Sequence, residues 1–595
     1  MAAILGYGAV SSLGTGAQRI WSAMAEGWDG IAPVRRFEVG TFTLGAVIPD
    51  RNAPEHGSLP LCIEMSITAA REAWQRAQLD GTPRDRIALV FGTSLGSEGA
   101  LVHEITAAVA DALGIAGPRL TVSTACASST NAIGMALDLL ALDAADIVIA
   151  GGADVLTPLV FAGFAALGVL STEKCAPFSE PPGTTLGEGA GFLVLGRDRP
   201  DTLAVVGYGL STDGFHDTSP DPTGAGIARS MRGALAQSGV AAADVDYINA
   251  HGTGTRANDP AEWRAIQSVL GERAQQVPVS ASKTFLGHAQ GAAGVLETIA
   301  TVIAMEHAAL PPTQRVTTRR PNTPPDVVAG ATARRADCNV ALKQSAGFGG
   351  ANASLVIARG CSAPVVTRRP VFVAAQASVS GDPPLPPSID PHELDPSTRY
   401  LTAAIAQALD ALGLRMRGEA RDRTGMIVGL LAPDRESDRA LAETIERHGY
   451  RGLSANLFAR QVLNAAPGTC ARLLGIRGLH SVIAAGSASA LAAAAYAAEL
   501  LATRSDVDAL VAANLTDDAA QCSVLTATPT DVCLASWQLA GPGRGVAPEA
   551  DAVAGDLLAG AELIRSGRAR RVLVTQSAAG CADVALLLVG GNHES

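Results

Sequence analysis

Apolar positions along this chain follow two alternating rhythms. Short runs such as RIALVFGTS (86–94), ADIVIAGGADV (145–155) and TLAVVGYGL (202–210) are dense in aliphatic residues and rich in glycine near their ends, the signature of buried strands. VDYINAHGTGT (245–255) and ASLVIARG (353–360) repeat it. Ala/Leu segments at helical spacing lie between them, one following Cys126 and one starting near Pro260. This alternation predicts a layered α/β architecture with glycine-rich connections at the strand ends. In LTVSTACASSTNAIG (120–134) a strand pattern passes through small residues into a helix pattern, and Cys126 sits on the turn.

The rhythm is also duplicated. GPRLTVSTACASS (117–129) aligns without a gap on GLHSVIAAGSASA (478–490), setting Gly117 against Gly478, Ala127 against Ala488 and Cys126 against Ser487. Each copy continues into an Ala/Leu helix and a strand. Upstream, RIALVFGTS matches RTGMIVGLL (423–431). Two ordered matches on one strand–turn–helix plan predict a duplicated fold. CSAPVVTRRP (361–370) reads as a link, and SVSGDPPLPPSIDPHELDPS (378–397) is rich in turn formers.

Composition narrows the class. The 595 residues exceed one ordinary domain, and 48% hydrophobic content can fill a large core. A net charge of −12 argues against a nucleic-acid surface. The basic pairs Arg35-Arg36, Arg319-Arg320 and Arg334-Arg335 are either solvated surface or contacts for an acidic partner. Nine scattered cysteines with no CxxC pair predict neither a metal site nor a disulfide framework, and a reducing compartment. The start MAAILGYGAVSSLG lacks a basic, then long apolar leader, and the most apolar helical run (490–502) is too short to span a bilayer. A cytoplasmic protein without membrane contact is the expectation.

The turn cysteine has a chemical rationale. Small neighbours let the backbone bend and leave room for a thioester, while the following helix aims its positive end at the sulfur, favouring thiolate. The Cys126 N–H is also placed to meet an oxyanion. His251 follows a strand in NAHGTGTRANDPAE, and His288 lies five residues past Lys283 in SKTFLGHAQGAAG, both among residues too small to bury them. QSAGFGGANAS (344–354) is a glycine-dense turn able to present backbone N–H groups.

These four stretches, in this order, resemble the elongating β-ketoacyl synthases, and the resemblance covers residues 1 to about 360. It implies the thiolase fold, a five-layer αβαβα arrangement. By motif, Cys126 is the acylated nucleophile and His251 and His288 the paired histidines. Lys283 is the lysine preceding the second of them, acting electrostatically. The N–H groups of Cys126 and Ala346 form the oxyanion hole. Thr253 and Thr255 match hydroxyls that contact phosphopantetheine. Glu297 matches the family's carboxylate, and it and Glu262 are either structural ion partners or participants. The Cys-His-His type implies decarboxylative condensation with malonyl-acyl carrier protein. Substrates ride on the carrier's phosphopantetheine, and no cofactor is bound permanently.

Three departures shape the expectation. Ala346 stands where the family has a gating phenylalanine, which predicts a wider pocket mouth. The loop CAPFSEPPGTTLGEGAG (175–191) lacks the usual charged middle. Only 34 positions separate Gly92 from Cys126, about 20 fewer than the resemblance implies, whereas 58 separate Gly429 from Ser487. The extra length includes SANLFARQVLNAAPGTCARLLGI (454–476), which looks like the segment that lines a partner's acyl tunnel. The expected organisation is therefore a catalytic domain, 1–360, and a degenerate, truncated, chain-length-factor-like domain, 361–595, packed as a pseudo-dimer. A homodimer of full chains stays open. Ser487 replaces the nucleophile there, and His392, His448, His480 and His593 match neither histidine motif. The competing functions are an acyltransferase delivering the acyl group to an alcohol or amine, and a non-catalytic chain-length factor.

Overall fold

The structure, a computed structural model, describes residues 1–49, 58–97, 100–197, 199, 202–359, 367–516, 518–541, 552–554, 556–578 and 580–590. The expected boundary at 360/361, Cys361 and His593 lie outside them.

The first sheet is built from β1 (Ala2–Ser11), β2 (Ile87–Gly92), β3 (Arg119–Val122), β4 (Ile147–Asp154) and β5 (Gly189–Gly196). Its order is β3–β2–β4–β5–β1, with β2 parallel to β3 and β4 and the remaining pairs antiparallel. Every residue of β2, β3 and β4 is buried, which explains their unbroken apolar runs. A second sheet follows the order β6 (Leu203–Thr212), β10 (Ala351–Arg359), β9 (Val340–Ala346), β7 (Tyr247–Asn249), β8 (Val279–Ser280). Helices α1 (Ser58–Ala77) and α2 (Val102–Leu113) cover the outer face of the first sheet. Helices α3 (Ser128–Ala141) and α8 (Ala293–His307) fill the middle. α5 (Ala225–Ser238) and α6 (Asn258–Leu270) lie on the far side. Two further helices of this half are α4 (Pro158–Ala166) and the single turn α7 (Lys283–Leu286), and another helix spans Ala17–Ala25. The middle helices are buried nearly all round, so their amphipathic signal is weak.

The remainder repeats the plan. Strands β11 (Val371–Ser380), β12 (Thr424–Gly429), β13 (His480–Ala484), β14 (Ala509–Leu515) and β15 (Ala519–Thr526) follow the order β13–β12–β14–β15–β11. Their second sheet runs β16 (Val532–Ala540), β19 (Asp583–Gly590), β18 (Arg571–Ser577), β17 (Ala552–Ala554). One helix, α14 (Leu557–Arg565), crosses from β17 to β18. The first half uses the same crossing to insert α6, β8, the His288 loop and α8. The truncation is thus concentrated where the second histidine would sit. Helices α9 (Pro396–Ala411), α10 (Arg435–His448), α11 (Ala455–Ala459), α12 (Ala465–Leu474) and α13 (Ser489–Thr503) complete the half. In the turn-rich stretch, 378–380 end β11, and the loop after them leads to α9, where Asp395 caps Thr398 N at 2.8 Å.

The halves join through their sheets. β3 pairs antiparallel with β13, Val122 opposite Ile483 and Thr121 opposite Ala484. Val122 and Ile483 are 361 positions apart, the same offset that sets Cys126 against Ser487. A residue paired with its own repeat equivalent marks a pseudo-two-fold axis, so both turns flank one dyad. A single hydrophobic cluster runs from Ala2 to Leu588 through both halves.

Candidate active site

Cys126 sits on a one-turn 3-10 segment, Ala125–Ala127, that links β3 to α3. Ala125 takes φ +50°, and Ser128 holds the bend: its Oγ accepts from Thr124 N (2.9 Å) and donates to Ala125 O (2.6 Å). Gly92 lets α3 approach this closely, since a Cβ there would lie 2.5 Å from Ser128 and Ser129 backbone. The second half builds the same elbow. Gly486 takes φ +57°, and Ser489 Oγ accepts from Ala485 N (2.9 Å) and donates to Gly486 O (2.7 Å). Ser487 is exposed there and donates to Ser577 O.

His251 and His288 converge on Cys126. Their rings stand at 85° with centroids 5.3 Å apart, and both line a cavity of about 270 Å³ with Cys126, Thr253, Thr255 and Ala346. Lys283 Nζ donates to His251 O (2.6 Å), lies 3.3 Å from His251 Nδ1 and pairs with Glu297 Oε1 at 2.5 Å. An ammonium has only donors, so Nδ1 accepts and the ring proton sits on Nε2. Glu262 accepts from His251 N (2.6 Å) and Gly252 N (2.9 Å), fixing the loop, and burial pushes its carboxyl up to about 7. Thr253 and Thr255 hydroxyls lie 2.9 Å apart.

Burial, then the cationic lysines, holds both imidazoles well below the usual histidine range. The expected thiolate is not what the site favours: burial pushes the Cys126 thiol up to about 12, outweighing the pull of Lys283 and its own amide. Gly347 N donates to Ala351 O, so by antiparallel alternation Ala346–Asn352 is the pair without ladder bonds. The Ala346 N–H is left unused by β10.

The structure adds residues the sequence reading did not single out. Asp154 accepts from Thr93 Oγ1 (2.7 Å), Ser94 N (2.9 Å), Gly96 N (2.8 Å) and Gly291 N (2.7 Å), tying the loop behind Cys126 to the segment after His288. Lys343 pairs with Glu297 Oε2 at 2.8 Å; a lysine inside the apolar strand VALKQSA was the available signal. Phe164 stacks on Phe348 with centroids 5.5 Å apart and lies edge-on to His288 at 6.3 Å. With Ala346 in place of the expected gate, these two rings stand beside His288. The second half reaches the same place: Phe458 packs against Phe164 (5.6 Å), and Asn464 Nδ2 donates to Phe348 O (2.8 Å). In two basic pairs one arginine turns inward, Arg36 to buried Glu188 and Arg320 to buried Asp259, while Arg35 and Arg319 stay exposed. Arg334 pairs with Asp326.

Models of the β-ketoacyl synthase family match most of this chain, the N-terminal domain over 2–200 and again over 377–525, the C-terminal domain over 203–317. The chain belongs to the β-ketoacyl synthase family. Its thiolase fold is that of the family, and the second N-terminal match falls on the half without the histidines. This ketosynthase is 32% identical to 3-oxoacyl-[acyl-carrier-protein] synthase 2 of Coxiella burnetii (strain RSA 493 / Nine Mile phase I) over 405 residues, 60% of this chain and 98% of that protein. It is 35% identical to nodulation protein E of Rhizobium sp. (strain N33) over 59% of the chain and 97% of that protein. Among solved structures, the ishigamide ketosynthase/chain length factor aligns at 31% identity and TM-score 0.55, covering 60% of this chain and 98% of that one. The PfaC keto synthase-chain length factor covers 100% of this chain and 92% of its own, with TM-score 0.81 at 16% identity, a likeness of fold across both halves. Among the described residues no helix is long and apolar enough to cross a membrane.

Proposed function

We propose that this ketosynthase catalyses decarboxylative condensation of an acyl group held on Cys126 with malonyl-acyl carrier protein, in the cytoplasm. The observation that carries the reading is the convergence of one thiol and two neutral imidazoles on a single cavity. Cys126 sulfur attacks the incoming acyl thioester, and its proton leaves on the departing pantetheine thiol. The malonyl arm then enters past Thr253 and Thr255. Its bond to the carboxylate breaks, carbon dioxide departs, and the electron pair becomes an enolate whose oxygen accepts from the two imidazole N–H groups. The enolate carbon attacks the acyl carbonyl. The N–H groups of Cys126 and Ala346 hold that oxyanion until the Cys126 thiolate is expelled and reprotonated. The product is a 3-oxoacyl thioester two carbons longer.

We assign residues 1–360 this chemistry and 361–595 the wall of the chain's path. A cavity of about 630 Å³ lies between the halves, lined by Ser94, Val155 and Leu159 on one side and Leu441, Ile445 and Gln461 on the other. Mass spectrometry of the protein with acyl- and malonyl-loaded carrier tests the first assignment. A lengthened chain with carbon dioxide released, lost in Cys126→Ala, is expected. Acyl transfer without carbon dioxide overturns condensation in favour of ester or amide formation.

A further inference from the structure

Glu297 is shared by two lysines. Lys283 takes Oε1 at 2.5 Å and Lys343 takes Oε2 at 2.8 Å, and all three side chains are essentially without solvent. One carboxylate needs one cation, so the second lysine leaves the cluster with an excess positive charge. Burying such a charge costs free energy unless something else uses it. Lys343 has other donors in play. It reaches Gln344 O, and it donates to Ser345 Oγ (2.9 Å), which in turn bonds Thr130 Oγ1 (2.8 Å) in the first turn of α3. The lysine therefore ties the strand end bearing Ala346 to the helix that carries Cys126.

We propose that Lys343 is a positioning residue for the two imidazoles: bound to the Glu297 oxygen that Lys283 leaves open, it supplies the second cation that keeps His251 and His288 neutral. Neutrality matters because His251 accepts from Lys283 at Nδ1, and a proton there would break that contact. The acidic groups around the rings are already engaged, Asp213 at the cavity wall by Asp221 N and Asn352, and Arg256 at its edge is exposed. Glu262 is held by the His251 and Gly252 amides, Asp154 by Thr93, Ser94, Gly96 and Gly291, and Asp259 by Arg320. Cys126 is a buried thiol. Lys283 and Lys343 are the two cations acting on each ring.

The kinetic consequence rests on the condensation reading, but the titration does not. Lys343→Met and Lys343→Gln remove the charge at similar length. Histidine-labelled protein, with His251 and His288 resonances assigned through their own substitutions, reads ring protonation directly by NMR. Both variants are expected to titrate the two rings about one pH unit higher than the wild type. The acid limb of carbon dioxide release from malonyl-carrier should rise equally. A uniform rate loss with unshifted rings overturns the proposal and makes Lys343 a strut. If neither variant folds, the wild type still tests it: rings protonating near the ordinary value of about 6.5 overturn it. Shifted rings in a protein that releases no carbon dioxide uphold this proposal and overturn condensation instead.

Discussion

At Gly347 a single hydrogen separates a working site from a blocked one. A Cβ there would lie 2.7 Å from Thr124 O and 3.1 Å from Cys126 N, at the amide assigned to the oxyanion. Gly347→Ala should lower kcat on the order of 10²-fold, as loss of one such donor does, with Tm changed little. A wild-type kcat would argue that the Cys126 amide plays no part. Asp154 is a different kind of residue, because its role is to satisfy buried donors. Asp154→Ala strands the Ser94, Gly96 and Gly291 amides, each worth about 1–3 kcal/mol when unpaired. Urea denaturation should show a loss of at least about 3 kcal/mol. At this scale the sequence was unequal in what it disclosed. Cys126, His251 and His288 have small sequence neighbours, which marks them on the page, but those neighbours do not leave them open: the fold buries all three. Lys343 and Asp154 look like ordinary strand residues until their partners, tens to hundreds of positions away, are brought beside them.

Among the elements, α11 and α12 do the most unexpected work. Both belong to the half without the histidines, yet they seat Phe458 against Gly163 and Phe164 and hold Phe348 through Asn464. Phe458→Ala should cost about 3 kcal/mol in chemical unfolding, the lower end for a buried phenylalanine. The same variant should broaden the spread of product lengths, because Phe164 loses the ring against which it is braced. Conversely, Leu441→Trp on α10 fills part of the cavity between the halves. Products shortened by one or more two-carbon units are expected by mass spectrometry, and an unchanged distribution would remove that cavity from the chain's path. The length difference between the two copies pointed to residues 454–476. Which side chains of that segment touch the site depended on packing that no local pattern encodes.

For the molecule as a whole, the joint between halves contains a titrating group. Asp138 on α3 accepts from the Tyr208 hydroxyl, which lies 3.2 Å from that of Tyr496 on α13, while Arg504 Nη1 donates to Tyr208 O at 2.9 Å. Burial pushes the Asp138 carboxyl up to about 7. The folded protein then binds a proton more tightly than the unfolded chain, whose aspartate titrates near 3.9. Stability from this group is complete below about pH 4 and is lost as pH rises to about 7. Asp138→Asn removes that dependence, so the variant's Tm should gain on the wild type across the same interval. Parallel Tm curves would place the carboxyl outside the linkage.

The sequence by itself determined the elements, the duplication, and the positions of the turn cysteine and the two loop histidines proposed for the chemistry. These are local facts: aliphatic runs, glycines at strand ends, a thiol on a tight turn, and a repeat at constant offset. Tertiary structure alone decided where the pseudo-two-fold axis passes, which half supplies Phe458 and Asn464 to the other's site, and that two lysines share Glu297. Those outcomes depend on which buried groups end up adjacent, and a buried charge finds its partner in space rather than in sequence.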